Sequence, residues 1–397
     1  MPHQLPPPID VVAAPVSYSV TAITSSEACR LRTVLSCSKT WHPRLPMGPE
    51  ASIGSLVHEV RERWEEGLTD AATPAEFFDQ VYQATRESLS KDPLRRHFAD
   101  LEATRTRSAW ARVRRLAVGD PPPPMPKPIT EGKSESKKSV GLRVGSEVDL
   151  ASMSLRLHGR ADRIDRAPDG TWVVRDYKTG SALGPDGEIR EIYALQMQCY
   201  GLMIRDEAPG AIVRLILDDG EQHEVLFDPD AEEAVRARVD AMVAAMPPAH
   251  ATVGAGLLAT PGASCTMCSF RLACESYREV APRWWRSYPE DVDTIPGDTW
   301  GRVVCITTKG TLSLTLDDAA GRRVSVERLD LRHELDGIQA GSPLWLFSLN
   351  AAGRGRGTDG RRYHPRNFYE MPRDRWERRA WAATVYGDRR LSSPATE

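Results

Sequence analysis

The chain carries little net charge: 52 lysines and arginines against 55 acids over 397 residues leave a formal balance of −3. A near-neutral chain has no whole-molecule attraction for nucleic acid, so any such attraction must be local. No apolar run approaches the roughly 18–20 residues that span a bilayer, which excludes a helical membrane protein. The opening MPHQLPPPIDVVAAP lacks a basic stretch followed by an apolar one. No secretory signal is therefore expected, and the expected setting is the cytoplasm. Cysteine is scarce, with Cys29, Cys37, Cys199, Cys265, Cys268, Cys274 and Cys305 thinly spread. That odd number, with no export signal, argues against a disulfide framework. There is no internal repeat and no Walker A motif, so any ATP-driven step would belong to a partner. What the chain does have is 41% apolar residues, enough for a core. Its length suits two or three domains of about 150 residues each.

Residues 1–16 are Pro-rich and read as a loose tail, and Ser25 or Ser26 is a candidate helix N-cap. In residues 51–68, Ile53, Val57, Val60, Trp64 and Leu68 fall on one helical face. His58 lies off that stripe, so solvent exposure is the plain reading for it. Two more helices are expected within 74–117. DPPPPMPKP and EGKSESKK mark residues 119–140 as an exposed linker. Strands are expected across 145–178, a helix at 190–206, strands at 211–217 and 222–227, and a helix at 230–245. Mixed strands and helices indicate an α/β core. From 291 to 397 short alternating strands with Gly- or Asp-rich turns suggest a separate β-rich domain, for which an OB-like barrel is one candidate.

The most informative stretch is HGRADRIDRAPDGTWVVRDYKTG, residues 158–180. Pro168-Asp169-Gly170 is a turn signature. A hairpin centred on Asp169 sets Asp162 directly across from Asp176, with Cβ atoms about 4.5–5.5 Å apart. Two carboxylates that close repel unless a positive charge lies between them. A divalent cation such as Mg²⁺ fills that role. Lys178, two residues beyond Asp176, leaves the strand on the same face. An ammonium there can orient water or stabilise charge on a phosphoryl oxygen. Glu147 is a candidate additional acid. The bland alternative is a charged surface hairpin.

Gly159-Arg160-Ala161-Asp162, then Asp176-Tyr177-Lys178-Thr179-Gly180, resembles the RecB-like branch of the PD-(D/E)XK nuclease superfamily. Gly54-Ser55-Leu56-Val57-His58 is similar to that branch's upstream G-x-x-x-H helix. Gln196-Met197-Gln198-Cys199-Tyr200 is similar to its downstream Q-x-x-x-Y helix. The resemblance covers residues 54–200, with the pieces in the family's order. It implies a restriction-endonuclease-like α/β core with flanking helices, spanning 17–290. It also implies that His58, Asp162, Asp176 and the Tyr177 carbonyl hold Mg²⁺ or Mn²⁺, that Lys178 positions the attacking water, and that Gln196 and Tyr200 brace the site or touch DNA.

Cys265, Cys268 and Cys274 follow a C-x2-C-x5-C spacing that converges on one soft metal. Cys29 and Cys37 are the candidates for a fourth ligand. The chain is similar here to a subset of RecB-like nucleases, including AddB and the CRISPR-associated ones, in which one early and three late cysteines hold a [4Fe–4S] cluster. Thr21 to Cys29 resembles the segment carrying the first ligand, although Arg30 stands where that subset often has proline, which keeps Cys37 open. Zn²⁺ is the alternative ion.

Between Arg354 and Arg390 eleven arginines face five acids. Aromatic residues interleave with them, and Arg361, Arg362, Tyr363, Arg366, Phe368 and Trp376 are the candidate contacts. Cations tracking phosphates beside rings that stack on bases suit a single-strand binder. The expectation is a metal-dependent DNA nuclease acting on single strands or free ends in repair, recombination or phage defence, with a helicase as a candidate partner. The alternatives are a catalytically silent DNA-binding subunit and a zinc-stabilised interaction module.

Overall fold

The computed structural model describes residues 3–4, 7–38, 41, 49–65, 71–91, 99–118 and 142–287. Beyond these it describes 298–307, 312–319, 321, 323–329, 338–347, 360–363 and 384–387. The linker expected at 119–140 lies outside the described residues.

The chain opens with strands β1 (His3–Gln4), β2 (Val11–Ala13) and β3 (Tyr18–Ser19). Residues 1–16 are thus not a wholly loose tail. Ile9, Val12 and Ala14 are buried, and β2 pairs with a late strand. Apolar side chains spaced to face inward are enough to anchor so short a strand. Helices α1 (Ala22–Ala28) and α2 (Arg30–Ser36) follow. The first begins before Ser25, and Ser26 Oγ donates to the Ile23 carbonyl instead of capping.

Three helices come next, α3 (Pro49–Glu65), α4 (Pro74–Lys91) and α5 (Arg107–Val118). Proline opens α3 and α4, where its missing N–H costs nothing. These helices form their own core around Ile53, Val57, Val60, Phe78, Trp110 and Val113.

The second core belongs to a mixed sheet. Its strands are β3, β4 (Gly145–Ser152), β5 (Leu157–Arg166) and β6 (Trp172–Tyr177), then β7 (Val213–Asp218) and β8 (Gln222–Val225), with α6 (Glu191–Glu207) crossing between β6 and β7. The β5–β6 register sets Arg163 opposite Arg175 and Ile164 opposite Val174, the register expected for a turn centred on Asp169. Gly170 adopts φ +87°, and Asp169 accepts from the Thr171 N–H. Between its pairing with β3 at Leu157–His158 and with β6 from Arg163 onward, β5 is open on that side. Tyr200 of α6 fills the opening. A Cβ at Gly159 would lie 2.8 Å from the Tyr200 ring and 2.8 Å from Val20, so glycine is required there.

After α7 (Pro229–Ala245), strand β9 (Thr252–Gly254) pairs with β2, and α8 (Ala255–Leu258) leads into 3₁₀ turns at Ala263–Met267 and Arg271–Ala273. Helix α9 (Glu275–Ser287) follows. The last strands are β10 (Thr299–Thr307), β11 (Leu312–Asp318), β12 (Arg323–Leu329), β13 (Pro343–Phe347), β14 (Gly360–Tyr363) and β15 (Thr384–Gly387). With β1 they form a second sheet in the order β1-β15-β13-β10-β11-β12-β14. The N-terminal residues therefore enter the sheet expected from the C-terminal region alone. Trp300 and Trp345 stack 4.0 Å apart, and Trp300 meets Tyr277 of α9, so the second sheet packs on the core of the mixed sheet. Among the described residues no helix is long and apolar enough to cross a membrane.

Candidate active site

The site lies where the two cores meet. Helix α3 brings His58 to the sheet, with Nδ1 3.1 Å from Asp162 Oδ1 and 3.8 Å from Glu147 Oε1. Ligand atoms of His58, Glu147 and Asp162 all fall within 4.8 Å of one another. The sequence alone expects His58 to be exposed, but the side chain is only 30% so, because it is pinned against the acids.

Glu147 sits mid-strand with φ +50°, in the left-handed region that a non-glycine residue rarely adopts. Arg160 Nε lies 2.8 Å from its carboxylate and also donates to its carbonyl. Strain of this kind persists only where the surroundings hold it, and it concentrates at functional sites. The sequence gives no sign of it, since a Glu in a strand carries no mark of its φ.

Asp162 accepts from the Tyr177 N–H at 2.6 Å. Asp176 is almost wholly buried. The Lys178 ammonium sits against its Oδ2, and Gln196 Nε2 donates to its Oδ1 at 3.0 Å. Lys178 Nζ also donates to Gln196 Oε1 at 3.1 Å and faces the Tyr193 ring. Gln196 Nε2 reaches the Tyr200 hydroxyl, and that hydroxyl donates to the Arg160 carbonyl at 2.6 Å. The i, i+4 spacing on α6 thus puts both side chains over the open stretch of β5.

Burial and the Asp162 charge raise the Asp176 carboxyl above its ordinary range, and Lys178 only partly offsets them. For His58, burial pushes down, but hydrogen bonds to Asp162 and Glu147 and the nearby Asp176 charge overcome it and lift the imidazole to about 10. In the Tyr200 phenol, burial and the Asp176 charge both push upward. A nitrogen and several carboxylate oxygens converging without enough positive charge fit a hard divalent cation.

A second cluster lies elsewhere in the domain. Cys29, at the α1–α2 junction, and Cys265, Cys268 and Cys274, in and beside the 3₁₀ turns, line one pocket. Cys37 is not among its lining; its thiol lies beside Ser19. Burial pushes the Cys265 thiol up to about 11 and that of Cys274 up to about 12, with neighbouring cysteines adding to both. Of the C-terminal candidates, Arg361, Arg362 and Tyr363 fall in β14, and Arg366, Phe368 and Trp376 lie outside the described residues.

Residues 17–275 match the sequence profile of the PD-(D/E)XK nuclease superfamily. A CRISPR-associated exonuclease Cas4/endonuclease Cas1 fusion of Myxococcus xanthus (strain DK1622) is 32% identical over 152 residues, which is 36% of this chain and 26% of the relative. The chain thus spans about a quarter of that relative's length. The profile runs from the first strand of the mixed sheet through the cysteine pocket, and the chain belongs to the PD-(D/E)XK nuclease superfamily.

Proposed function

We propose that the protein is a divalent-metal-dependent DNA nuclease, acting on single strands or free ends and stapled by a [4Fe–4S] cluster. The observation that carries this reading is the convergence of His58, Glu147, Asp162, Asp176 and Lys178, drawn from two cores onto one seam. His58, Glu147, Asp162, Asp176 and the Tyr177 carbonyl would hold Mg²⁺ or Mn²⁺. Such an ion, when bound, neutralises charge on the scissile phosphate and makes water more acidic.

Lys178 is held by Asp176 and Gln196 so that its ammonium faces the site. It orients the water that attacks phosphorus and stabilises the charge that develops on the phosphoryl oxygens. The P–O bond to the leaving oxygen breaks as the new one forms, without a covalent enzyme intermediate. Gln196 fixes Lys178 and Asp176 together, and Tyr200 fixes Gln196 to β5. His58 would ligate such an ion as the neutral imidazole, so binding it would release any proton that His58 holds.

The cysteine pocket supports the cluster. Four thiols line it, a donor set that a [4Fe–4S] cluster or Zn²⁺ takes, and the likeness of the cysteine spacing to the iron–sulfur subset of RecB-like nucleases favours the cluster. Cys29 closes the ring with Cys265, Cys268 and Cys274. The arginine- and aromatic-rich C-terminal stretch supports a single-stranded partner.

The test uses purified protein with end-labelled single- and double-stranded DNA, with and without Mg²⁺ or Mn²⁺, and a visible spectrum of the same sample. Metal-dependent cleavage and absorbance near 400 nm are expected. A colourless, zinc-containing protein would overturn the cluster, and no cleavage with either ion would overturn the nuclease.

A further inference from the structure

Arg61 lies one turn after His58 on α3, so both side chains leave the same helical face. Its guanidinium carbon sits 3.8 Å above the centre of the Tyr177 ring. Tyr177 lies between Asp176 and Lys178, and its N–H donates to Asp162. The arginine is therefore tied to the site twice, through its own helix and through the strand that carries the acids.

One amino group, Nη1, is buried without a hydrogen-bond partner among the described residues. Leaving such a donor unmatched costs about 1–3 kcal/mol, and more when it is charged. The neighbouring cations are engaged. Arg160 faces Glu147 and Glu62, Arg163 faces Asp165, and Lys178 faces Asp176 and Gln196. The Tyr177 ring covers one side of the Arg61 guanidinium, and Nη1 is left for another group. A planar fork held in this way matches two oxygens of one phosphate.

We propose that Arg61 grips a backbone phosphate of the DNA strand next to the scissile one, setting the register in which the strand crosses the site. This rests on the nuclease reading above.

The test measures binding of a fluorescein-labelled oligothymidylate by anisotropy in Ca²⁺ at several salt concentrations. Arg61→Gln is expected to weaken binding about tenfold. It should also lower the slope of log K against log salt by about 0.7, the loss of one single-strand phosphate contact. Arg61→Lys should keep the slope and lose part of the affinity, because a point charge replaces a fork. A role confined to covering Tyr177 would instead lower the melting temperature and leave the slope alone. Phenylglyoxal labelling of the wild-type protein, mapped by mass spectrometry, gives a readout that no variant can spoil. Oligothymidylate should shield Arg61, and equal labelling with and without it overturns the proposal. If the wild type neither binds nor cleaves DNA, the nuclease reading falls and Arg61 with it. If the wild type binds and Arg61→Gln matches it in affinity and slope, Arg61 alone falls.

Discussion

Asp176 and Cys265 are both buried among groups of their own kind, but only the carboxylate is supplied with donors. Lys178 and Gln196 meet Asp176, and the chain of contacts runs on through Tyr200 to the backbone of β5. Among the described residues Cys265 accepts only a long contact, from the Gly262 N–H. Burial and neighbouring cysteines raise the thiols of Cys265, Cys268 and Cys274, so none of these three is ready to ionise unaided. The acidic site is preorganised by the protein, whereas the cysteine pocket, on the function proposed above, needs a metal centre to complete it. Emptying the first should remove activity and spare the fold. Emptying the second should weaken the fold, because the proposed cluster would join Cys29 to Cys265 across more than 200 residues.

The largest effect tests the first half of that contrast. Asp176→Asn is expected to lower cleavage at least about 10³-fold, since the charge it removes serves the chemistry. Ionising Asp176 is disfavoured in the folded protein, so losing that charge should leave the melting temperature unchanged or slightly higher. Near-wild-type cleavage by this variant would sink the assignment. A large fall in melting temperature would mean that the site is part of the scaffold after all.

The second half is tested by serine at Cys29, Cys265, Cys268 or Cys274. Each should bleach absorbance near 400 nm and destabilise the fold. The loss is bounded by the entropy of closing a loop beyond 100 residues, on the order of 4–5 kcal/mol. Cys37→Ser should do neither, since Cys37 keeps company with Ser19. If Cys37→Ser bleaches the protein and Cys29→Ser does not, the pocket has been read with the wrong fourth thiol.

Arg271 links the cysteine turns to the second sheet. It is buried, pairs with the fully buried Asp298 at 2.7 Å, and shares that carboxylate with the Tyr277 hydroxyl. Asp298→Ala should cost about 3–5 kcal/mol in thermal or urea unfolding, because a buried guanidinium is left without its partner. Cutting the chain at 290, where the sequence suggests a domain boundary, removes Asp298, Trp300 and Trp345 together. A truncated chain as stable as the full one would show that this contact carries no weight.

The legible parts were those where local geometry decides. A Pro-Asp-Gly turn sets the β5–β6 register as far as Arg163 opposite Arg175, one step short of Asp162 and Asp176, and α6 carries Gln196 and Tyr200 one turn apart. His58 was legible only through its motif, because its partners come from another core. Glu147 was visible as an acid but not as a strained one, since backbone φ at one strand residue has no sequence mark. Arg61 and Asp298 gave no signal, because an unpartnered donor and a long-range ion pair exist only once the chain is folded. Strands β1 and β2 were hidden by prolines that look like a tail and by partners some 240 to 380 residues away.

Gly159 offers a smaller test of how tightly the acidic site is built. Gly159→Ala presses a methyl group into Tyr200 and Val20 and is expected to cost about 1–3 kcal/mol as an overpacking defect. Cleavage should fall with it, since Tyr200 holds Gln196. A stable variant with unchanged cleavage would mean that β5 and α6 yield freely and the site is less rigid than the hydrogen bonds suggest.

The smallest effect separates bracing from chemistry. Tyr200→Phe removes the donor to the Arg160 carbonyl and the acceptor for Gln196 Nε2, with the ring still filling the gap in β5. Losing that hydrogen bond should cost about 1 kcal/mol, read as a small drop in unfolding free energy. Gln196 would still hold Asp176 and Lys178 directly, so cleavage should fall only a few-fold. That outcome places Tyr200 behind the reacting groups. A loss beyond about 10²-fold, with stability hardly changed, would instead put the hydroxyl in contact with the substrate or the attacking water, and the acidic site would owe its order to one brace fewer.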